Sequence, residues 1–333
     1  MNVRWPHGLD ALRLAGLLGL TAMMVAHSLP ATGGEPIVLA GPAMGTTYRV
    51  TLAAAVPGLS RGEVHRELEA VLARIDRAAS TYRDDSDVSR FNRAAAEQWV
   101  DVSHDLACIV AIAREVHEET GGAFDITVAP LLALWADAPR PAREPSLDAL
   151  AVAQASVGMH LVELRRPKDG PAALRKLRAG VQLDLGGIGP GYAVDCLGER
   201  LVALGSTNHL VMLGGEARAW GTQGDGTPWQ LHVQRHDADE PADILELLAG
   251  EAIAFSTRRP GRSPVDPRTG RPSDTPAATV MARSGRCSHA DAWAVALALG
   301  HTSLQTPSAS DSSCETAQKN PPDGGAASCV CSP

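Results

Sequence analysis

Residues 181–204 constrain the fold more than any other stretch. Val181, Leu183 and Leu185 alternate as an apolar strand does, and Gly186, Gly187, Gly189 and Gly191 follow at once. Ala193, Val194, Leu197, Leu201 and Leu204 then recur at helical spacing. Glycines let backbone come close to a ligand, and the free N–H groups of a helix start favour an anion. Pro190 suits the first helical turn, where its missing N–H costs nothing. Asp184, just ahead of the glycines, can hold a ligand hydroxyl or ring N–H. The residues alone leave two readings open: a strand–helix turn with no ligand, or a phosphate-binding loop. The dinucleotide fingerprint G-x-G-x-x-G is not met, because Tyr192 stands where its third glycine belongs.

The chain has 333 residues, 44% of them hydrophobic, enough for one large domain or two small ones. A formal net charge of −8 and only 4% aromatics give nucleic-acid binding no support. Arg4 and Arg13 precede an apolar run, Leu14–Ala26, with small residues after it. That is the layout of a secretory signal peptide over residues 1–31, the run being shorter than the roughly 20 residues a membrane span needs. An uncleaved anchor is the alternative. Export places the cysteines in an oxidising setting. Cys108, Cys196 and Cys287 fall in apolar or helical segments and read as core; Cys314, Cys329 and Cys331 lie in a polar tail. No C-x-x-C pair points to zinc or thioredoxin-like chemistry.

Residues 36–300 read as one domain, and 301–333 as a disordered tail rich in Ser, Pro and Gly with its own cysteines. Ile37–Leu52 reads as two strands turned at Met44–Thr47. Ser60 and Glu63 form a capping box for a helix with Val64, Leu68, Val71, Leu72 and Ile75 inward. A polar loop follows, holding Tyr82 as a half-buried aromatic, then a helix over His104–Glu119 ended by Gly121-Gly122. Asp125 sits among apolar residues and needs a partner, either a backbone cap or a ligand. Pro139–Pro145 reads as a linker, Leu147–Val157 as a helix and Leu161–Leu164 as a strand. Strands follow through Asn208–Trp220, Trp229–Val233, Ile253–Ser256 and Thr279–Ala282. The closing helix, His289–Gly300, carries one carboxylate, Asp291.

In order along the chain these pieces resemble the FAD:protein FMN transferase, or ApbE, family. The resemblance rests on Ala43–Thr46, Ser80–Tyr82 with Ser86–Asn92, and Gly121–Asp125 through Pro130 to Trp135. It continues through Asp184–Ile188 with Gly191–Asp195, Gly214-Gly215, Val265–Gly270 and Ala290–Ala292. It implies an α+β fold of T-fold-like antiparallel sheets with packed helices. It also implies Mg²⁺-dependent cleavage of FAD, with FMN passing to a Thr or Ser hydroxyl of an acceptor, a redox protein associated with a membrane, and AMP released. Enzymes of the family are exported or face the periplasm. By resemblance Met44, Tyr82, Ala123, Phe124, Asp125, Asp184 and Val265 contact FAD, Gly187 and Asp291 serve the metal, and Asp291 is the catalytic residue. A hard cation with oxygen ligands would neutralise the pyrophosphate.

Three positions depart from the family pattern. Pro190 stands where lysine is usual, Ser263 where histidine is frequent, and Val295 where threonine follows the metal aspartate. Valine keeps the shape of threonine without its hydroxyl, so one oxygen ligand is absent. Two further readings therefore stand beside transfer: a FAD-binding protein with lost or weak catalysis, and a FAD pyrophosphatase giving FMN and AMP.

Overall fold

The computed structural model describes residues 23–26, 36–136, 144–234, 243–257, 264–274 and 279–300. In chain order the first half holds β1 (Met23–Ala26), β2 (Ile37–Ala43), β3 (Thr46–Leu52), α1 (Arg61–Ala79), α2 (Asp87–Arg93), β4 (Trp99–Val102), α3 (His104–Glu119), α4 (Ala129–Ala136) and α5 (Leu147–Gln154). The second half holds β5 (Val162–Arg165), β6 (Ala172–Lys176), α6 (Gly189–Ala203), β7 (His209–Leu213), β8 (Glu216–Trp220), β9 (Trp229–Gln234) and β10 (Asp243–Leu247). The last elements are β11 (Ala252–Thr257), β12 (Val265–Asp266), β13 (Arg271–Pro272), β14 (Thr279–Ser284) and α7 (Cys287–Ala298).

The central sheet has six strands in the order β14-β11-β8-β7-β3-β2, every neighbouring pair antiparallel. Its middle strand β7 is buried on both faces. Val211 and Leu213 enter the main core. Leu210 and Met212 face a smaller one with Trp229, Leu231, Leu247 and Ile253. That outer core lies under a three-stranded sheet, β1-β9-β10. Helices α6 and α7 cover the inner face and pack on each other. The stripe foreseen on α1 is buried against them, and the capping box forms: Glu63 N–H donates to Ser60 Oγ at 3.3 Å and Ser60 N–H to Glu63 Oε2 at 2.8 Å. A third sheet, β4-β6-β5, packs beside α3. This is the α+β arrangement of antiparallel sheets and packed helices that the resemblance implies.

Val181–Leu185 is not a strand, contrary to the sequence reading. Its backbone bonds to side chains and a loop instead. Asn92 clamps Leu183 from both sides, accepting from its N–H at 2.8 Å and donating to its carbonyl at 2.9 Å. The buried Lys176 ammonium donates to Val181 O at 3.1 Å, and Asp184 N–H to Ile126 O at 2.8 Å. The polar segment after Tyr82 contains a helix, α2, capped by Ser86. Met23–Ala26, assigned above to the export signal, pairs with β9. The rest of residues 1–31, the linker at 139–143, Ser263 and the tail at 301–333 lie outside the described residues. Cys108 and Cys287 are buried and form no disulfide, whereas Cys196, also buried, is disulfide-bonded.

Candidate functional site

The start of α6 lies directly on α7, and the glycines make that possible. A side chain at Gly191 would strike the backbone carbonyl of Cys287 and come within 2.8 Å of Asp291 Cβ. One at Gly187 would meet Val295 Cγ2 at 2.6 Å and Phe124 at 3.6 Å. Helix α7 has no cap of its own, since Arg286 offers no side-chain hydrogen bond. Asp195, one turn into α6, supplies it from outside. Its Oδ1 accepts from Cys287 N–H at 2.8 Å, and its Oδ2 from Ser288 N–H at 2.9 Å and Ser288 Oγ at 2.8 Å. Arg218 on β8 donates to the same carboxylate at 2.7 Å. Orphan N–H groups and the positive helix end both favour an anion there.

This docking brings Asp291 to the glycine turn, where Gly191 N–H donates to its Oδ2 at 3.0 Å. The carboxylate is 5% exposed. Burial raises its pKa to about 7, and the Gly191 N–H pulls the other way. Glu216, the first residue of β8 and 8% exposed, has its pKa raised well above the usual range by burial and then by the charge of Asp291. Its carboxylate accepts from backbone, Gly215 N–H at 3.1 Å and its own N–H. Among the described residues neither carboxylate pairs with a Lys, Arg or His. Two buried acids with nothing positive between them suit a hard cation with oxygen ligands. Val295, one turn beyond Asp291, presents a methyl group to Gly187 rather than an oxygen.

Other sequence-singled residues converge on the same place. Met44 occupies the β2–β3 turn with φ of 48°, a left-handed conformation uncommon outside glycine, and its Cε lies 3.4 Å from where a Gly189 side chain would start. Ala123 and Phe124 are buried beside the turn, Phe124 against Gly187. Half-buried Asp184 bends back to accept from Gly186 N–H at 2.9 Å. A cavity of about 640 Å³ opens beside Met44, with Thr46, Leu72 and Asp76 on its wall. The buried Tyr48 hydroxyl on that wall has no hydrogen-bond partner among the described residues.

Asp125 resolves toward the backbone cap. Its Oδ1 accepts from Thr127 N–H at 2.8 Å and Thr127 Oγ1 at 2.5 Å, and Oδ2 faces His117 Nδ1 at 3.3 Å. Its side chain is fully engaged, which leaves backbone for any ligand. Tyr82 is 87% exposed rather than half-buried. Val265 is buried in β12, whose turn is held by Trp135 Nε1 donating to Gly270 O at 2.8 Å and Gln154 Nε2 to Pro267 O at 2.5 Å. Arg268 of that turn reaches Gly122, its Cγ 3.7 Å from where a Gly122 side chain would start, so the turn lies beside Gly122. The sequence reading passed over Glu216 and did not foresee the cap by Asp195. The signal for Glu216 was present: a carboxylate at the start of a strand directly after Gly214-Gly215.

Residues 44–306 match the ApbE family. A FAD:protein FMN transferase of Haemophilus influenzae is 37% identical over 224 residues, 65% of this chain and 64% of that protein, just under two thirds of its length. The FAD:protein FMN transferase of Vibrio cholerae is 30% identical over 276 residues, 79% of this chain and 81% of its own. Among solved structures, the flavin transferase ApbE from Vibrio cholerae superposes with a TM-score of 0.69 at 31% identity, over 80% of this chain and 87% of that one. The Pseudomonas stutzeri flavinyl transferase ApbE does so at 0.69 and 34%, over 80% and 84%. With sequence and fold matched over most of its length, the chain belongs to the ApbE family.

Proposed function

We propose that this protein transfers FMN from FAD to a Thr or Ser hydroxyl of an acceptor protein and releases AMP. The names of its relatives support transfer of FMN to a protein. The observation that carries the reading to this chain is the buried Asp291 carboxylate, held by Gly191 N–H at the start of α6 with no cationic partner among the described residues. Asp291 and the Gly187 carbonyl would hold Mg²⁺, which when bound neutralises the pyrophosphate. Mg²⁺ tolerates water among its ligands, so the lack of an oxygen at Val295 is compatible with binding. Met44, Tyr82, Phe124, Asp184 and the backbone at Ala123, Asp125 and Val265 would orient FAD. The acceptor oxygen bonds to the FMN phosphorus, the phosphorus–oxygen bond to AMP breaks, and the hydroxyl proton is released. The basic, apolar and small-residue order of the N-terminus supports an exported protein acting on a membrane-associated acceptor, outside the cytoplasm.

The test incubates the mature protein with FAD and Mg²⁺, with and without a candidate acceptor domain. AMP together with a fluorescent acceptor band is expected, and Asp291→Ala should abolish both. AMP without the band would make it a hydrolase. The methyl group of Val295 favours one rival, a flavin-binding protein without turnover, and tight FAD binding with no AMP would establish it.

A further inference from the structure

Glu216 has no role in the family resemblance, yet its carboxylate is nine-tenths buried at the edge of the glycine turn. Its Oε2 bends back over its own turn, 3.3 Å from where a Gly214 side chain would start. Thr46 Cγ2, from the β2–β3 hairpin, lies at 3.3 Å from that same point. The carboxylate therefore sits between the hairpin that carries Met44 and the strand end that faces α7. Cys287 and Asp291 lie one turn apart on the face of α7 toward this strand. The Cys287 thiol is 3.6 Å from the carbonyl of Ala217, the residue after Glu216. Ala290, beside Asp291, packs with Ala254 of β11, and Ala254 pairs with Glu216, so Asp291 lies near enough for its charge to act on that carboxylate. Arg218, two residues along β8, is committed to Asp195 at 2.7 Å and leaves Glu216 without a counter-charge. Among the described residues only backbone N–H groups, those of Gly215 and of Glu216 itself, reach this carboxylate, which has room for further ligands.

We infer that Glu216 is a second protein carboxylate of the divalent-cation site, sharing the cation with Asp291 and supplying an oxygen where Val295 has none. The inference rests on the cation reading under Proposed function and adds a ligand to it. A buried acid of this kind costs stability unless a cation or proton neutralises it, and two acids offer a hard cation the oxygen-rich surroundings it prefers.

Mn²⁺ is the probe, its binding to the full chain counted by electron paramagnetic resonance and confirmed by calorimetry with Mg²⁺, without FAD. Wild-type protein, Glu216→Gln and Asp291→Asn are compared, with thermal unfolding as the check that each is folded. The amide oxygen of glutamine keeps the bond from Gly215, so the local backbone is preserved. Glu216→Gln should bind Mn²⁺ at least about tenfold more weakly, and Asp291→Asn should lose binding. Wild-type affinity in Glu216→Gln with loss in Asp291→Asn would overturn the assignment and leave the cation reading intact. No binding to the wild type, or full binding in both variants, would end both. Should the glutamine variant fail to fold, Glu216→Asp replaces it, withdrawing the oxygens by one methylene. Several-fold weaker Mn²⁺ binding then supports the ligand, and unchanged binding removes it.

Discussion

Tyr82 leaves 87% of its surface in water, while every other tyrosine in the chain is buried. Such a ring contributes little to the fold and offers a face to an aromatic ligand, with stacking worth about 0.5–1.5 kcal/mol. Tyr82→Ala should therefore weaken FAD binding by roughly three- to tenfold, read by flavin fluorescence. Its unfolding midpoint should stay within experimental error. Val295→Thr tests the neighbouring lack of oxygen. Its branch already lies against Gly187, so threonine fits without repacking, and the Mg²⁺ concentration for half-maximal AMP release should fall several-fold. An unchanged Mg²⁺ dependence would mean position 295 faces away from the metal. At this scale the sequence singled out residues more readily than it showed their partners. Asp125 announced itself as a carboxylate in apolar surroundings, but its partner is Thr127, two residues on, a local cap that needs no ligand. Gly187 and Gly191 suggested an anion cradle, and the structure shows them first as gaps that admit α7.

Helix α7 carries Asp291 but begins without a cap of its own, so its placement depends on a carboxylate from α6. Asp195→Ala would orphan the first N–H groups of α7 and leave the largely buried Arg218 unpaired. The loss should be about 3 kcal/mol or more, measured by urea unfolding. AMP release should decline with it as α7 loosens. Asp195→Asn keeps an acceptor and should recover part of the stability. The elements with strong periodicity were legible: α1 and α3 from their apolar stripes, α6 from its leucines, and the β2–β3 pair from its turn. Residues 181–185 were misread because alternating burial is real there, while the backbone pairs with Asn92 and Lys176 rather than a strand. Lys176 is near in sequence, but Asn92 lies 91 positions away, and no local pattern encodes that clamp. Helix α2 was missed for the opposite reason, its polar composition hiding a Ser86 cap and only two large apolar side chains, Val88 and Phe91.

At the scale of the whole molecule, the sheet order links stability to pH through His209 on the central strand β7. Its ring stacks on Trp220 at 4.8 Å, and burial pushes its pKa down to about 4 from 6.5. The folded state thus prefers the neutral ring. Its contribution is present in full above about pH 6.5 and is lost as the pH falls toward about 4, on the order of 3 kcal/mol across that window. Asp291 acts with the opposite sign. Its folded pKa is raised to about 7, so without a cation it costs stability as the pH rises. Urea unfolding at successive pH values should show a fall below pH 6.5 that is absent in His209→Gln, and a gain from Mg²⁺ that grows toward pH 8 and is absent in Asp291→Ala. The overall class could be read from the sequence, but the strand order could not, because β14-β11-β8-β7-β3-β2 joins residues more than a hundred positions apart. That order also sets a timetable for biosynthesis. Met44 and Thr46 are made early, whereas α7, Cys287–Ala298, is the last described element. A nascent chain can lay down the hairpin and α1 long before Asp291 emerges on the last described helix, and a ribosome that stalls before residue 287 leaves a product without that buried carboxylate.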